Sequence, residues 1–309
     1  MSATGAQPAV VEPVVAVDPI FTVEHVTLRF SGLTSLDDVS FEHERGSILA
    51  VIGPNGAGKT SLFNSLTGVY RPQEGVITFK GEGKAPRRIA SMRPFRVNRL
   101  GVARTFQTSR MFGAMTAFEN VKIGVESRHH TGPIGAILRL PRTRREEHES
   151  DVRALQLLEF AGLTPRANDI ADSLPYGDRR RLEIARALGT KPEVLLLDEP
   201  AAGANPAEKV ALGELITRVR NELGVSILLI EHDMKLVMSV AERIIVLNFG
   251  HIIATGTPTE IQRSQVVVDA YLGTSHAGTH DGDGDAPAAG VANTGTDDAA
   301  DDAGDDGSA

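Results

Sequence analysis

The chain contains no cysteine, which excludes disulfides, thiol nucleophiles and cysteine-based zinc sites and fits a reducing compartment. Long hydrophobic runs are missing as well. The longest clean ones, 194–197 and 227–230, span only a few residues, against the ~18 that a membrane-spanning helix needs. The N-terminus lacks a basic patch followed by an apolar stretch, so no signal peptide is expected. Any work at a membrane is expected to be done from outside the lipid. Residues 275–309 have no Lys or Arg but carry nine aspartates. The formal net charge of −8 therefore belongs to this tail, and the remainder is close to neutral. A nucleic-acid binder would concentrate positive charge on its folded part, so nucleic acid is not an expected partner.

What is present is a globular composition, 41% hydrophobic and 23% charged over 309 residues, about two domains' worth of chain. Residues 1–20 are rich in Ala, Val and Pro and read as a flexible lead. Residues 273–309 are Gly, Ala, Asp and Thr, too poor in apolar surface to offset the entropy of ordering. This acidic tail is expected to be disordered, either simply solvated or used for charge-based docking. The body is 21–272. Strand-like segments open it around Val23–Phe30 and 39–42, and 47–52 is a continuous apolar run, as in a strand buried on both faces. A helix is expected over 59–67, then strands at 76–80 and 102–106. From 116 to 162 the pattern turns helical, with Val152, Leu155, Leu158 and Ala161 expected on one buried face. Strands return at 194–197, 225–230 and 244–247, separated by helices at 206–222 and 233–240. Alternating strands and helices make an α/β fold with a mainly parallel sheet covered on both faces. The helical stretch, about 108–188, interrupts that alternation as an inserted subdomain.

Gly53-Pro54-Asn55-Gly56-Ala57-Gly58-Lys59-Thr60 matches G-x-x-x-x-G-K-[ST] between a buried strand and a helix, where a phosphate-binding loop belongs. Glycines let backbone N–H groups turn inward around phosphate oxygens, and the helix that follows directs its positive end at the same anion. Lys59 is expected to reach the β- and γ-phosphates, and the Thr60 hydroxyl to coordinate Mg²⁺. Asp198 ends the apolar run 194–197, where a carboxylate can ligate Mg²⁺. Glu199 follows it, suited to orient or deprotonate an attacking water; the plainer alternative is a salt-bridged loop glutamate. Together these motifs predict binding and hydrolysis of a nucleoside triphosphate.

The stretch Leu174-Pro-Tyr-Gly177-Asp-Arg-Arg-Arg-Leu-Glu-Ile-Ala-Arg-Ala-Leu188, upstream of the Asp198 strand, resembles the signature motif and following helix of ABC-transporter ATPase subunits. Gln107 matches that family's Q-loop, His232 its switch histidine, and 201–205 its D-loop, all in family order. Arg104-Thr-Phe-Gln107, 116–121, 198–206, 230–238 and Ala270-Tyr-Leu-Gly273 are similar to the larger ATPase subunit of branched-chain amino-acid importers. Urea and amide importers share much of this pattern. The resemblance implies a P-loop NTPase (RecA-like) core with an N-terminal antiparallel β subdomain and the inserted helical one. It adds Ser61 to the nucleotide-binding set, Gln107 beside Thr60 and Asp198 around Mg²⁺, and His232 as a catalytic residue. It implies two ATPase subunits facing head to tail, with each ATP between the P-loop of one and the Tyr176–Gly177 signature of the other. It further implies two membrane permease subunits, an extracytoplasmic amino-acid-binding protein, and a peripheral location on the cytoplasmic face of the membrane. Phe30 stands where the family stacks an aromatic on adenine; a core phenylalanine is the competing reading.

This chain departs from the usual L-S-G-G-Q. Pro175 takes the serine position and removes a hydroxyl and an N–H, which predicts a weaker site wherever this signature closes on a partner's P-loop. Ala204 stands where leucine is common. Two further readings stay open: a soluble ABC ATPase with no membrane partner, against which the single nucleotide domain and near-neutral body argue, and a module that binds ATP without turnover, against which Glu199 and His232 argue.

Overall fold

The computed structural model describes residues 18–105, 111–128 and 141–276, with the backbone alone at 141–144 and 272–276. Of the lead expected over 1–20, residues 1–17 lie outside the described residues, whereas 19–20 already belong to the first strand; of the tail expected over 273–309, residues 277–309 lie outside them.

The continuous apolar runs build one sheet. Strands β3 (Ile48–Ile52), β6 (Val102–Arg104), β7 (Val194–Asp198), β8 (Ser226–Ile230), β9 (Arg243–Asn248) and β10 (His251–Gly256) are ordered β10-β9-β3-β8-β7-β6. All neighbours pair in parallel except β10, which returns antiparallel along β9. Every residue of β3, β7 and β8 is buried, because helices or a second sheet cover both faces. Side chains alternate between those faces. Leu195 and Leu197 point into a core shared with helices α3 (Ala117–Glu126), α4 (Pro141–Phe160), α5 (Tyr176–Gly189) and α6 (Pro206–Leu223). Val194 and Leu196 point into the opposite core, with Phe63 of helix α1 (Lys59–Leu66) and Phe21 and Phe79 of the second sheet.

That second sheet is antiparallel, ordered β2-β1-β4-β5, from β1 (Pro19–Phe30), β2 (Leu33–Glu44), β4 (Glu74–Phe79) and β5 (Arg87–Arg88). A third apolar layer joins Ala50, Ile52, Ile244 and Val246 to helix α7 (Met234–Val240) and to the C-terminal helices α8 (Pro258–Gln262) and α9 (Gln265–His276). Helix α9 runs past the expected end of the body at 272. Short helix α2 (Pro94–Leu100) leads into β6.

Helix starts follow capping chemistry. Thr116 with Glu119, Asn205 with Glu208 and Thr257 with Glu260 form reciprocal capping boxes, each satisfying two orphan N–H groups. One expectation fails in α4. Val152 and Leu155 are exposed, while Ala154, Leu157, Leu158 and Ala161 are buried. The buried stripe keeps the i, i+3, i+4, i+7 spacing but is rotated, because α4 packs on α3 and α5 through its Ala154–Leu157 side.

Candidate functional site

Strand β8 lies between β3 and β7, so the loops leaving their carboxyl ends are neighbours; crevices at such ends are where parallel sheets bind ligands. The loop after β3 is residues 53–58. Gly53 (φ +152°) passes so near the neighbouring strand that a Cβ would lie 2.0 Å from the Leu247 carbonyl oxygen, and one at Gly58 (φ +105°) would lie 2.5 Å from that of Ser35. Only glycine fits either position. The loop is fastened by Ala57 O, which accepts from Gly250 N–H at 3.0 Å, and by the Ser35–Ser61 hydroxyl pair at 2.7 Å. Lys59 folds back over it, its Nζ donating to Gly53 O at 2.7 Å and Pro54 O at 2.9 Å. Burial pushes the Lys59 ammonium below its ordinary pKa, and the charges of Glu199 and Asp198 act in the opposite direction. A buried cation held only by two neutral carbonyls of the loop is a ready partner for an anion entering there. Asn55 and Thr60 are exposed at the mouth, and Gly56 with them.

Asp198 ends β7 almost fully buried, its Oδ2 accepting from Arg104 at 2.7 Å. Glu199 follows with φ +46°, a left-handed conformation that costs a non-glycine residue on the order of 1–3 kcal/mol and gathers at functional sites. Its N–H donates to Ile230 O at 2.9 Å, which ties the strained residue to the end of β8. His232 stands just beyond β8, its Nδ1 3.9 Å from Glu199 Oε2 and 3.8 Å from Glu231 Oε2, with the ring 61% exposed. The wide spacing leaves Glu199 and His232 able to meet a third group between them.

Sequence reasoning missed Glu231. Its side chain is fully buried; Oε1 accepts from Ala201 N–H at 2.7 Å, and Oε2 from His232 N–H at 3.0 Å and Asp233 N–H at 3.3 Å. One carboxylate thus joins the loops that carry Glu199 and His232. Tyr271 of α9 was also missed as a site neighbour: burial pushes its phenol up, and the Gly53 N–H faces it. Nothing in sequence spacing marks either contact. Gln107 lies outside the described residues.

Tyr176 and Gly177 begin α5 and contact the 202–208 segment of the same chain. The Tyr176 hydroxyl donates to Ala202 O and accepts from Arg180 Nε at 3.0 Å. A Cβ on Gly177 would lie 2.8 Å from Glu208 Oε1. Pro175 is the N-cap of α5, without a side-chain hydrogen bond to the helix. Phe30 is 39% exposed, which removes the core reading; its ring meets Tyr70 edge-on at 5.0 Å.

The group such a loop takes is a polyphosphate with its cation, and the donors fit. Thr60 and Asp198 offer oxygen ligands of the kind Mg²⁺ prefers. Among the described residues no three His, Cys, Asp or Glu cluster to hold a metal.

The family model described as ABC transporter matches residues 36–202. The chain belongs to the ABC transporter family. A second model, described as branched-chain amino acid ATP-binding cassette transporter, matches 251–277, the part containing β10, α8 and α9. This ABC ATPase is 46% identical over 255 residues to the high-affinity branched-chain amino acid transport ATP-binding protein LivG of Salmonella typhimurium, covering 82% of this chain and 98% of that one. It is 45% identical over 255 residues to the protein of that description named BraF in Pseudomonas aeruginosa, with the same coverage. A solved ATP-binding cassette of an ABC transporter in its ADP conformation superposes with TM-score 0.71 at 30% identity, over 83% of this chain and 99% of that one. The ABC ATPase therefore binds nucleotide and hydrolyses ATP. No helix among its described residues is long and apolar enough to cross a membrane. Membership of this transporter family implies membrane permease partners and dimerisation.

Proposed function

We propose that this ABC ATPase powers import of branched-chain amino acids from the cytoplasmic face of the membrane, paired with a second ATPase subunit and bound to two permease subunits fed by an extracytoplasmic binding protein. The observation that carries the substrate class is the family match over 251–277, joined to 46% identity with transport proteins of that description. The chemistry rests on the cluster at the ends of β3, β7 and β8.

In this reading Gly53 and Pro54 shape the start of the loop, the N–H groups of 55–61 wrap the phosphates, and Lys59 transfers its hold from the Gly53 and Pro54 carbonyls to the β- and γ-phosphates. Phe30 lies against the adenine. Thr60, Asp198 and Gln107 would hold Mg²⁺, which when bound would offset the charge on the phosphates. Glu199 orients an attacking water and accepts its proton, and His232 holds the geometry from the far side. The α5 N-terminus directs the Gly177 N–H and its helix dipole at the γ-phosphate held by the partner's P-loop, with Tyr176 beside it. ATP then joins two chains, and its cleavage lets them part.

The test is reconstitution of the chain with its second ATPase subunit, cognate permeases and binding protein in vesicles loaded with ATP. Uptake of labelled leucine, isoleucine or valine, lost in Glu199→Gln by about 10²–10⁴-fold, is the expected result. Uptake of urea or amides instead would overturn the substrate class, and turnover unchanged in Glu199→Gln would overturn the mechanism.

A further inference from the structure

The sequence shows Arg104 only as a residue leading toward Gln107, and the reading of the site above gives it no task. In the structure it stands at the end of an outermost strand of the sheet, next to the strand end that carries Asp198. Edge strand β6 pairs with β7 in parallel, Arg104 opposite Leu196, which sets its side chain beside Asp198 although 94 residues separate them. Its guanidinium forks. Nη2 donates to Asp198 Oδ2 at 2.7 Å and Nη1 to Asn64 Oδ1 at 2.6 Å, while the group lies 5.6 Å from the Phe63 ring centroid. Both partners of the ion pair are nearly buried, at 10% and 3% exposure. Asn64 is four residues after Thr60 on α1, so it shares that residue's helix face. One guanidinium therefore ties together the helix that carries Thr60 and the strand end that carries Asp198.

Two physical consequences follow. A buried carboxylate without a counter-charge is strongly unfavourable, so Arg104, at 2.7 Å, supplies that counter-charge and holds Asp198 in place when no cation is beside it. A divalent cation arriving alone meets two fixed positive charges close by, Arg104 and Lys59, and their repulsion is poorly screened at a buried site. Only a ligand that brings several negative charges offsets it.

We propose that Arg104 is a built-in positive charge at the cation position, which holds Asp198 while that position has no metal and makes occupancy by Mg²⁺ conditional on the triphosphate. Arg104 is a positioning residue in this account, acting through Asp198. The inference rests on the reading of Asp198 as a Mg²⁺ ligand.

The test measures equilibrium ATP binding to the full chain by competition with a fluorescent ATP analogue, in excess EDTA and in excess Mg²⁺, with melting temperatures alongside. Arg104→Met removes the charge and keeps the volume. The ratio of the ATP dissociation constant in EDTA to that in Mg²⁺ is expected to rise about tenfold or more, since Asp198 then repels bare phosphates and welcomes the cation. Mg²⁺ alone is expected to raise the melting temperature of Arg104→Met but not that of the unaltered chain. Arg104→Lys keeps the charge without the fork, so its ratio is expected to stay within about threefold of the unaltered value even if its melting temperature drops. If Arg104→Met does not fold, Arg104→Gln carries the same expectation. An unchanged ratio in the neutral variants, or a shift in Arg104→Lys as large as theirs, overturns the proposal. Asp198→Asn separates the two readings. If it leaves the Mg²⁺ dependence of ATP binding intact, the assignment of Asp198 is wrong and this inference goes with it. If it abolishes that dependence while the neutral Arg104 variants change nothing, the inference about Arg104 alone is wrong.

Discussion

The two halves of the proposed ATP sandwich are built differently within the same chain. The P-loop half is wired through the interior: glycine-only approaches at Gly53 and Gly58, a strained Glu199 tied to β8, and a fully buried Glu231 that collects three N–H groups from two loops. The signature half is a helix start at the surface. Its N-cap is Pro175, which offers no side-chain acceptor, and Tyr176 is 40% exposed with its hydroxyl turned to Ala202 of the same chain. The lesson is that the parts doing chemistry are fixed by this chain alone, whereas the signature is left to be completed by whatever docks on it.

The largest effect is expected where the interior wiring is cut. Glu231→Ala leaves the N–H groups of Ala201, His232 and Asp233 without their acceptor, at about 1–3 kcal/mol for each that stays unsatisfied, so a loss of about 2–4 kcal/mol is expected in denaturant unfolding. The matching cut in the other half, Tyr176→Phe, removes the hydroxyl's two bonds at a side chain that is itself exposed, and is expected to cost about 1 kcal/mol. Equal losses would erase the contrast between the halves. Next comes Phe30→Ala, on the rim of the P-loop half. Base–aromatic stacking contributes about 1–3 kcal/mol, so nucleotide affinity measured by titration calorimetry is expected to fall about fivefold or more with the melting temperature little changed. Intact affinity would remove Phe30 from the site. Pro175→Ser is the smallest and the sharpest. A serine N-cap stabilises a helix by about 0.5–2 kcal/mol, and the restored hydroxyl and N–H are expected to raise ATPase turnover of the assembled transporter severalfold. Unchanged turnover would mean that the signature of this chain does not limit the cycle.

The same division explains what could be read from the sequence. The sheet was legible because parallel strands buried on both faces must be apolar without interruption, as in 194–197 and 227–230. The P-loop was legible because glycine and lysine are demanded there by backbone approach. The antiparallel return of β10, the two-residue β5 and short α2 were not, since neither carries a long periodic pattern. The buried face of α4 was misjudged at Val152 and Leu155 because hydrophobicity alone does not say where the neighbouring helices stand. Arg104 and Glu231 escaped notice for a deeper reason. Each acts through a partner supplied by sheet order, β6 beside β7 and β8 beside β7, and no spacing in one dimension reveals that adjacency. Gln107 lies outside the described residues and stays with the proposal.

The account turns on ATP being held between two chains, and sedimentation of the Glu199→Gln variant tests that most directly. With ATP and Mg²⁺ present, alongside the cognate second ATPase subunit and permeases, the account predicts a stable assembly containing two ATPase subunits that dissociates when nucleotide is removed. A nucleotide-loaded Glu199→Gln chain that stays monomeric under those conditions would contradict it.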